Sequence, residues 1–121
     1  MRILIVEDEA LVAMDLEEIV EGMGHNVCGT AARLGEAIRM AQEFAPQLVL
    51  MDVHLASGDS GLKAGEMISS GLGIPVVFIT ASVEEVASAC PAFPVAGLIA
   101  KPCSEPLLRQ AIASLKGQPP R

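Results

Sequence analysis

Five side chains in this sequence stand where chemistry is easiest to place: Glu7, Asp8, Asp52, Thr80 and Lys101. All lie just beyond a short apolar run. Arg2-Ile3-Leu4-Ile5-Val6 runs into Glu7-Asp8, and Leu48-Val49-Leu50-Met51 into Asp52. Pro75-Val76-Val77-Phe78-Ile79 runs into Thr80, and Gly97-Leu98-Ile99-Ala100 into Lys101-Pro102. A short unbroken apolar run reads as a strand buried on both faces of a parallel sheet. A carboxylate within such a strand is costly. Just past its carboxyl end, the same carboxylate lies where open α/β sheets hold their ligands.

Three carboxylates in one pocket repel one another and raise each other's pKa. A divalent cation removes that penalty, and a hard, oxygen-only ligand set suits Mg2+, with Mn2+ as a substitute. For Glu7-Asp8 alone, helix N-terminal capping explains the acids equally well. Asp52 can serve as ligand, general base or nucleophile. No His or Ser is placed to form a proton relay with it. As a nucleophile on phosphorus it needs a cation, a hydroxyl and a fixed positive charge for the phosphoryl oxygens. Magnesium, Thr80 and Lys101 match those needs. Taken singly, Thr80 reads as a strand-end threonine and Lys101 as a surface lysine; the combination in this chain order is the specific signal.

Five strand–helix alternations must position these groups. Strands are expected at 2–6, 26–31 (weaker and peripheral), 48–51, 75–79 and 97–100. The first helix runs from Leu11 to Glu21, with Val12, Leu16, Ile19, Val20 and Met23 at helical spacing and Gly22 and Gly24 ending it. Leu34, Ala37, Ile38, Ala41 and Phe44 mark the second, stopped by Pro46. The third spans roughly Leu62 to Ser69, closed by Gly71 and Gly73. A short fourth, Val83 to Cys90, cannot continue past Pro91 and Pro94. The last runs from Pro106 to Lys116, with Ser104 as its N-cap. Right-handed crossovers put helices on both faces of a parallel sheet. The flavodoxin-like strand order 2-1-3-4-5 brings Glu7, Asp8 and Asp52 together.

The 121 residues fit one domain, 1–116, followed by a flexible tail, 117–121. A formal charge of -7 argues against unspecific nucleic-acid binding. No apolar run approaches a membrane span, and the start passes directly into strand pattern with no signal peptide. Cys28, Cys90 and Cys103 are odd in number and lack metal-like spacing, which implies reduced thiols and a cytoplasmic location.

With these residues in view, the chain resembles the receiver domain of two-component response regulators over residues 1–116. The resemblance is carried by Val6-Glu7-Asp8-Glu9, Val49-Leu50-Met51-Asp52, Phe78-Ile79-Thr80-Ala81 and Lys101-Pro102. It implies Asp52 as phosphoacceptor and Asp8 as a direct magnesium ligand. Glu7 acts through water, and the backbone carbonyl of His54 completes the set. It implies Thr80 and Ala81 at the phosphoryl oxygens, Lys101 as their counter-charge, and a cis Lys101–Pro102 bond. The chain departs from the family at Leu98, where an aromatic is usual. It departs also in the loop Leu55 to Gly61, longer by about one residue and lacking proline, and at Cys103, where an aromatic is common. These features look like alphaproteobacterial receivers paired with an atypical group of histidine kinases.

The expected function is a stand-alone receiver taking a phosphoryl group from a histidine kinase or histidine phosphotransfer protein. It would act as a signalling domain and not an enzyme, through contact with an unknown output protein or as a phosphate shuttle. Ala10, Met14, Glu18, Leu55 and Cys103 are the expected kinase-facing surface, and Val83 to Val95 with the last helix the output side. Phe93 reads as core packing, and His25 as a turn residue. Two rivals remain. A haloacid-dehalogenase-type phosphohydrolase wants an Asp two residues after the nucleophile, where His54 stands. A phosphorylation-independent interaction module draws its support from Leu98.

Overall fold

The computed structural model describes residues 1–89 and 92–116. Cys90, Pro91 and the expected tail at 117–121 lie outside the described residues. Strands β1 (Arg2–Val6), β2 (Asn26–Ala31), β3 (Leu48–Met51), β4 (Val76–Thr80) and β5 (Gly97–Ala100) form one parallel sheet. Its order is β2-β1-β3-β4-β5, the flavodoxin-like order that the alternation implies. Helices α1 (Ala10–Gly22), α2 (Leu34–Phe44), α3 (Gly61–Leu72), α4 (Val83–Ala89) and α5 (Glu105–Lys116) connect and cover it.

Side-chain alternation along the strands splits the core into two layers. Leu4, Val6, Val49, Met51, Val76 and Phe78 face one side, against Ala37, Ala41, Ala64 and Ile68 of α2 and α3. Ile3, Ile5, Leu48, Leu50, Val77 and Ile79 face the other, against Leu16 and Val20 of α1 and Leu108 and Ile112 of α5. The central strands are buried on both faces, which is why their sequences are unbroken apolar runs. Phe93 belongs to the first layer and tilts against Phe78 with ring centroids 6.1 Å apart, in agreement with a packing role.

Element boundaries differ from the sequence reading in instructive places. Thr80 is the last residue of β4 and not the first beyond it, because it pairs in register with Ala100 of β5. Helix α3 continues through Gly71 to Leu72 and stops at Gly73, whose φ of 69° is the left-handed conformation glycine adopts freely. Gly71 lies inside the helix, so it does not help to end it. In α1 the residue packed into the core near its start is Ala13, with Val12 only half-buried. Leu55 was expected on the surface; it is 5% exposed and packs in the first layer.

Candidate functional site

Register brings the polar side chains together. Val6 of β1 pairs with Met51 of β3, so Glu7 and Asp52 leave neighbouring strands side by side, and the Asp52 N–H donates to the Val6 carbonyl at 2.9 Å. On the other side of β4, Thr80 pairs with Ala100, and the Lys101 N–H donates to the Thr80 carbonyl at 3.0 Å. All four strand ends therefore open at one edge, as the topology of an open α/β sheet requires.

Lys101 reaches back across this edge. Its Nζ lies 2.9 Å from Asp52 Oδ2 and 2.6 Å from Glu7 Oε1. Asp52 Oδ1 accepts from the Val53 N–H at 2.7 Å. Glu7, Asp52 and Thr80 are the buried polar residues of the described chain. Glu7 divides its carboxylate: Oε2 accepts from the N–H of Glu9, the N-cap residue of α1, at 3.1 Å, while Oε1 turns toward Lys101. Glu7 therefore serves the start of α1 with one oxygen and the pocket with the other.

Burial pushes the Glu7 carboxyl up to about 7. The Lys101 ammonium and the Glu9 N–H pull it down, and the neighbouring Asp52 charge raises it again. Burial alone would lower Lys101; its contacts with Glu7 and Asp52 more than reverse that and hold the ammonium above its ordinary range.

Carboxylate oxygens of Glu7, Asp8 and Asp52 all lie within 4.8 Å of one another, and Asp8 is exposed at the rim. Glu7 Oε1 is buried and, although close to Lys101 Nζ, lacks a well-aligned hydrogen bond. A buried, imperfectly satisfied carboxylate between two others is a donor set that fits a hard divalent cation.

Thr80 is 1% exposed, and its Oγ1 accepts from the Ser82 N–H at 3.0 Å. The hydroxyl proton stays available for donation. Ala81 follows it on the exposed edge. The Lys101–Pro102 bond is cis, as the resemblance implies. His54, beyond Asp52, forms an isolated antiparallel bridge with Ser60. Gly61 closes the loop: its N–H donates to the Val53 carbonyl at 2.6 Å, and a Cβ there would stand 1.8 Å from the Asp52 carbonyl oxygen. The sequence marks Gly61 as the end of this loop, but only the fold shows how closely the backbones approach there.

Of the expected kinase-facing residues, Ala10, Met14 and Glu18 are exposed on α1, Cys103 is half-buried, and Leu55 is buried. Burial, with the Asp15 charge secondary, pushes the Cys103 thiol up, away from thiolate chemistry. Cys28 and Cys103 are both free. No helix among the described residues is long and apolar enough to cross a membrane.

A doubly wound sheet with an acidic pocket, a buried hydroxyl and a lysine at one edge is the layout of a receiver domain. In agreement with this, the response regulator receiver domain model matches residues 3–113, and the chain belongs to that family. It is 50% identical over 105 residues to the phyllosphere-induced regulator PhyR of Methylorubrum extorquens, covering 84% of this chain. The match takes in 38% of that relative. The solution structure of the Erythrobacter litoralis PhyR receiver domain superposes with a TM-score of 0.86 at 37% identity, covering 99% of this chain and 93% of that one. The anti-anti-sigma factor PhyR of Bartonella quintana gives 0.81 at 37%, covering 93% and 46%.

Proposed function

We propose that this chain accepts a phosphoryl group on Asp52 from the phosphohistidine of a histidine kinase or histidine phosphotransfer protein, in the cytoplasm. The supporting observation is the Asp52 carboxylate at the end of β3, 2.9 Å from the Lys101 ammonium and within 4.8 Å of carboxylate oxygens of Glu7 and Asp8. Asp8 and Asp52 directly, Glu7 through water, and the His54 backbone carbonyl would hold Mg2+. Bound there, the ion neutralises charge on the phosphoryl oxygens and on the acids. An Asp52 oxygen attacks phosphorus in line as the phosphorus–nitrogen bond breaks, and the imidazole leaves with the bonding pair. Lys101 is placed to exchange its carboxylate contact for a phosphoryl oxygen, and Thr80 and Ala81 to donate the remaining hydrogen bonds.

Output then runs through a protein contact or through passing the phosphoryl group on. The Bartonella relative is described as an anti-anti-sigma factor, and we carry over from it a protein partner as the readout. One observation favours a second reading, a phosphorylation-independent interaction module. Leu98 stands on β5 where the family places an aromatic, and it is 38% exposed. Intact mass after incubation with a small phosphodonor and magnesium separates the two. One phosphoryl adduct on the wild type, absent in Asp52→Asn and without magnesium, is expected. No adduct from the small donor or from any kinase, with partner binding retained in Asp52→Asn, overturns the acceptor reading.

A further inference from the structure

Helix α2 lacks a cap of its own. Its N-cap position is Arg33, whose side chain makes no capping hydrogen bond, where Ser, Thr, Asp or Asn would ordinarily serve. Glu36 supplies half of a capping box: its Oε1 accepts from the Ala32 N–H at 3.1 Å. The other half comes from outside the helix. Asp59 Oδ2 accepts from the Leu34 N–H at 3.0 Å, across 25 positions of sequence.

Asp59 belongs to the loop that leaves Asp52, and that loop is built as a ladder. The Gly61 N–H donates to the Val53 carbonyl at 2.6 Å, His54 pairs with Ser60 in an antiparallel bridge, and the Leu55 N–H donates to the Asp59 carbonyl at 3.1 Å. At the foot of the ladder, the Val53 N–H donates to Asp52 Oδ1 at 2.7 Å. At its tip, the Ala56 N–H donates to the Ala32 carbonyl at 2.9 Å, alongside the Asp59–Leu34 bond. Leu55 and Leu34 belong to the same apolar layer. The Asp52 carboxylate and the start of α2 are therefore the two ends of one braced segment.

The foot of the ladder responds to charge. A hydrogen bond to an ionised acceptor is roughly twice as strong as one between neutral groups. With phosphorus bonded to either Asp52 oxygen, the Val53 N–H faces an uncharged acyl oxygen, and the bond weakens. We infer that Asp59 is a conditional cap: loading of Asp52 shifts the ladder, loosens the Asp59–Leu34 bond and frays the first turn of α2. The surface at the start of α2, where Arg33 and Gly35 are exposed, then carries the state of Asp52. This rests on Asp52 as the acceptor. Asp59 is a positioning residue and takes no part in the bond changes.

Amide hydrogen exchange on the whole chain tests it, with and without a small phosphodonor and magnesium, and with intact mass reporting the adduct. In the wild type, loading should speed exchange over residues 34–38 by about fivefold, the usual effect of a lost cap. In Asp59→Ala, exchange over 34–38 should be faster by a similar factor before loading and should not change on loading, although the adduct forms as before. Asp59→Asn, whose amide oxygen still accepts from the Leu34 N–H, should restore most of the response. The response over 53–58 should persist in every variant, which separates a broken relay from a lost adduct. A wild-type adduct with unchanged exchange over 34–38, or a full response there in Asp59→Ala, overturns the coupling. Absence of any adduct on the wild type sinks the acceptor reading and the coupling with it, while exchange in unloaded Asp59→Ala still judges the cap.

Discussion

At the scale of single residues, Lys101 is the charge on which the pocket depends. Its ammonium lies against two acids that otherwise repel each other across neighbouring strands. Removing one partner of a buried ionic cluster costs more than the cluster contributes, because the remaining charges stay desolvated. Lys101→Met should therefore lower stability by about 2 kcal/mol in metal-free buffer, less than for a fully buried pair because the side chain is 16% exposed. It should also remove the competitor for the acids. Magnesium should then raise the melting temperature more in the variant than in the wild type, since a ligand that binds only the folded state stabilises it by mass action. Melting curves at fixed ionic strength, with and without magnesium, check both. An equal magnesium shift in the two proteins would show that Lys101 does not compete for this site. The acids and Lys101 were legible because each follows an apolar run, but the Lys101–Glu7 contact was not. Sequence places both residues at strand ends without saying which way a long side chain turns.

The element that matters most is the loop from β3 to α3, which shapes the site from below. Gly61 lies against the backbone of Asp52, and the nearest atom to an added Cβ is a carbonyl oxygen that cannot rotate away. Gly61→Ala should displace the Asp52 carbonyl, lose at least about 2 kcal/mol as an overpacked site, and slow adduct formation. Denaturation midpoints and phosphoryl loading by intact mass read the two effects separately. The same loop is docked sideways: Asp59 Oδ2 accepts from the Leu34 N–H at 3.0 Å, and the Ala56 N–H donates to the Ala32 carbonyl at 2.9 Å. Asp59 therefore satisfies a free N–H at the start of α2 from a distant part of the chain. Asp59→Ala should cost about 1 kcal/mol, the usual loss of a capping side chain, with Asp52 chemistry retained. Strands were easy to read here because periodicity and burial agree in a parallel sheet. This loop was not, because its conformation is set by α2. Leu55 looks like a surface residue only until that docking buries it.

At the scale of the whole molecule, the polar pocket and the most exposed large apolar side chains lie on different elements. The pocket opens at the carboxyl edge of the sheet, while α1 turns Ala13, Leu16 and Val20 inward and leaves its other face in solvent. On that face Leu11 is 81% exposed and Met14 64%. Met14 was named from sequence; Leu11 was not, because an apolar residue near a helix start reads equally well as core, and only the helix phase sends it outward. Two large apolar side chains close to an acidic pocket suit docking against another protein. Leu11→Glu with Met14→Glu should leave the fold intact, since neither side chain contributes to the core layers. Loading from a small phosphodonor should be unchanged, because that donor needs only the pocket. Transfer from the phosphohistidine of a cognate kinase should fall by about tenfold or more, as expected for loss of apolar anchors at an interface centre. Parallel time courses with the two donors distinguish the outcomes. Equal loss with both would place α1 in the chemistry of the site, and no loss with the kinase would move the docking surface off α1. The contrast between donors is the decisive quantity: it reports whether Asp52 is selected by its own pocket alone or also by the surface that brings the phosphohistidine to it.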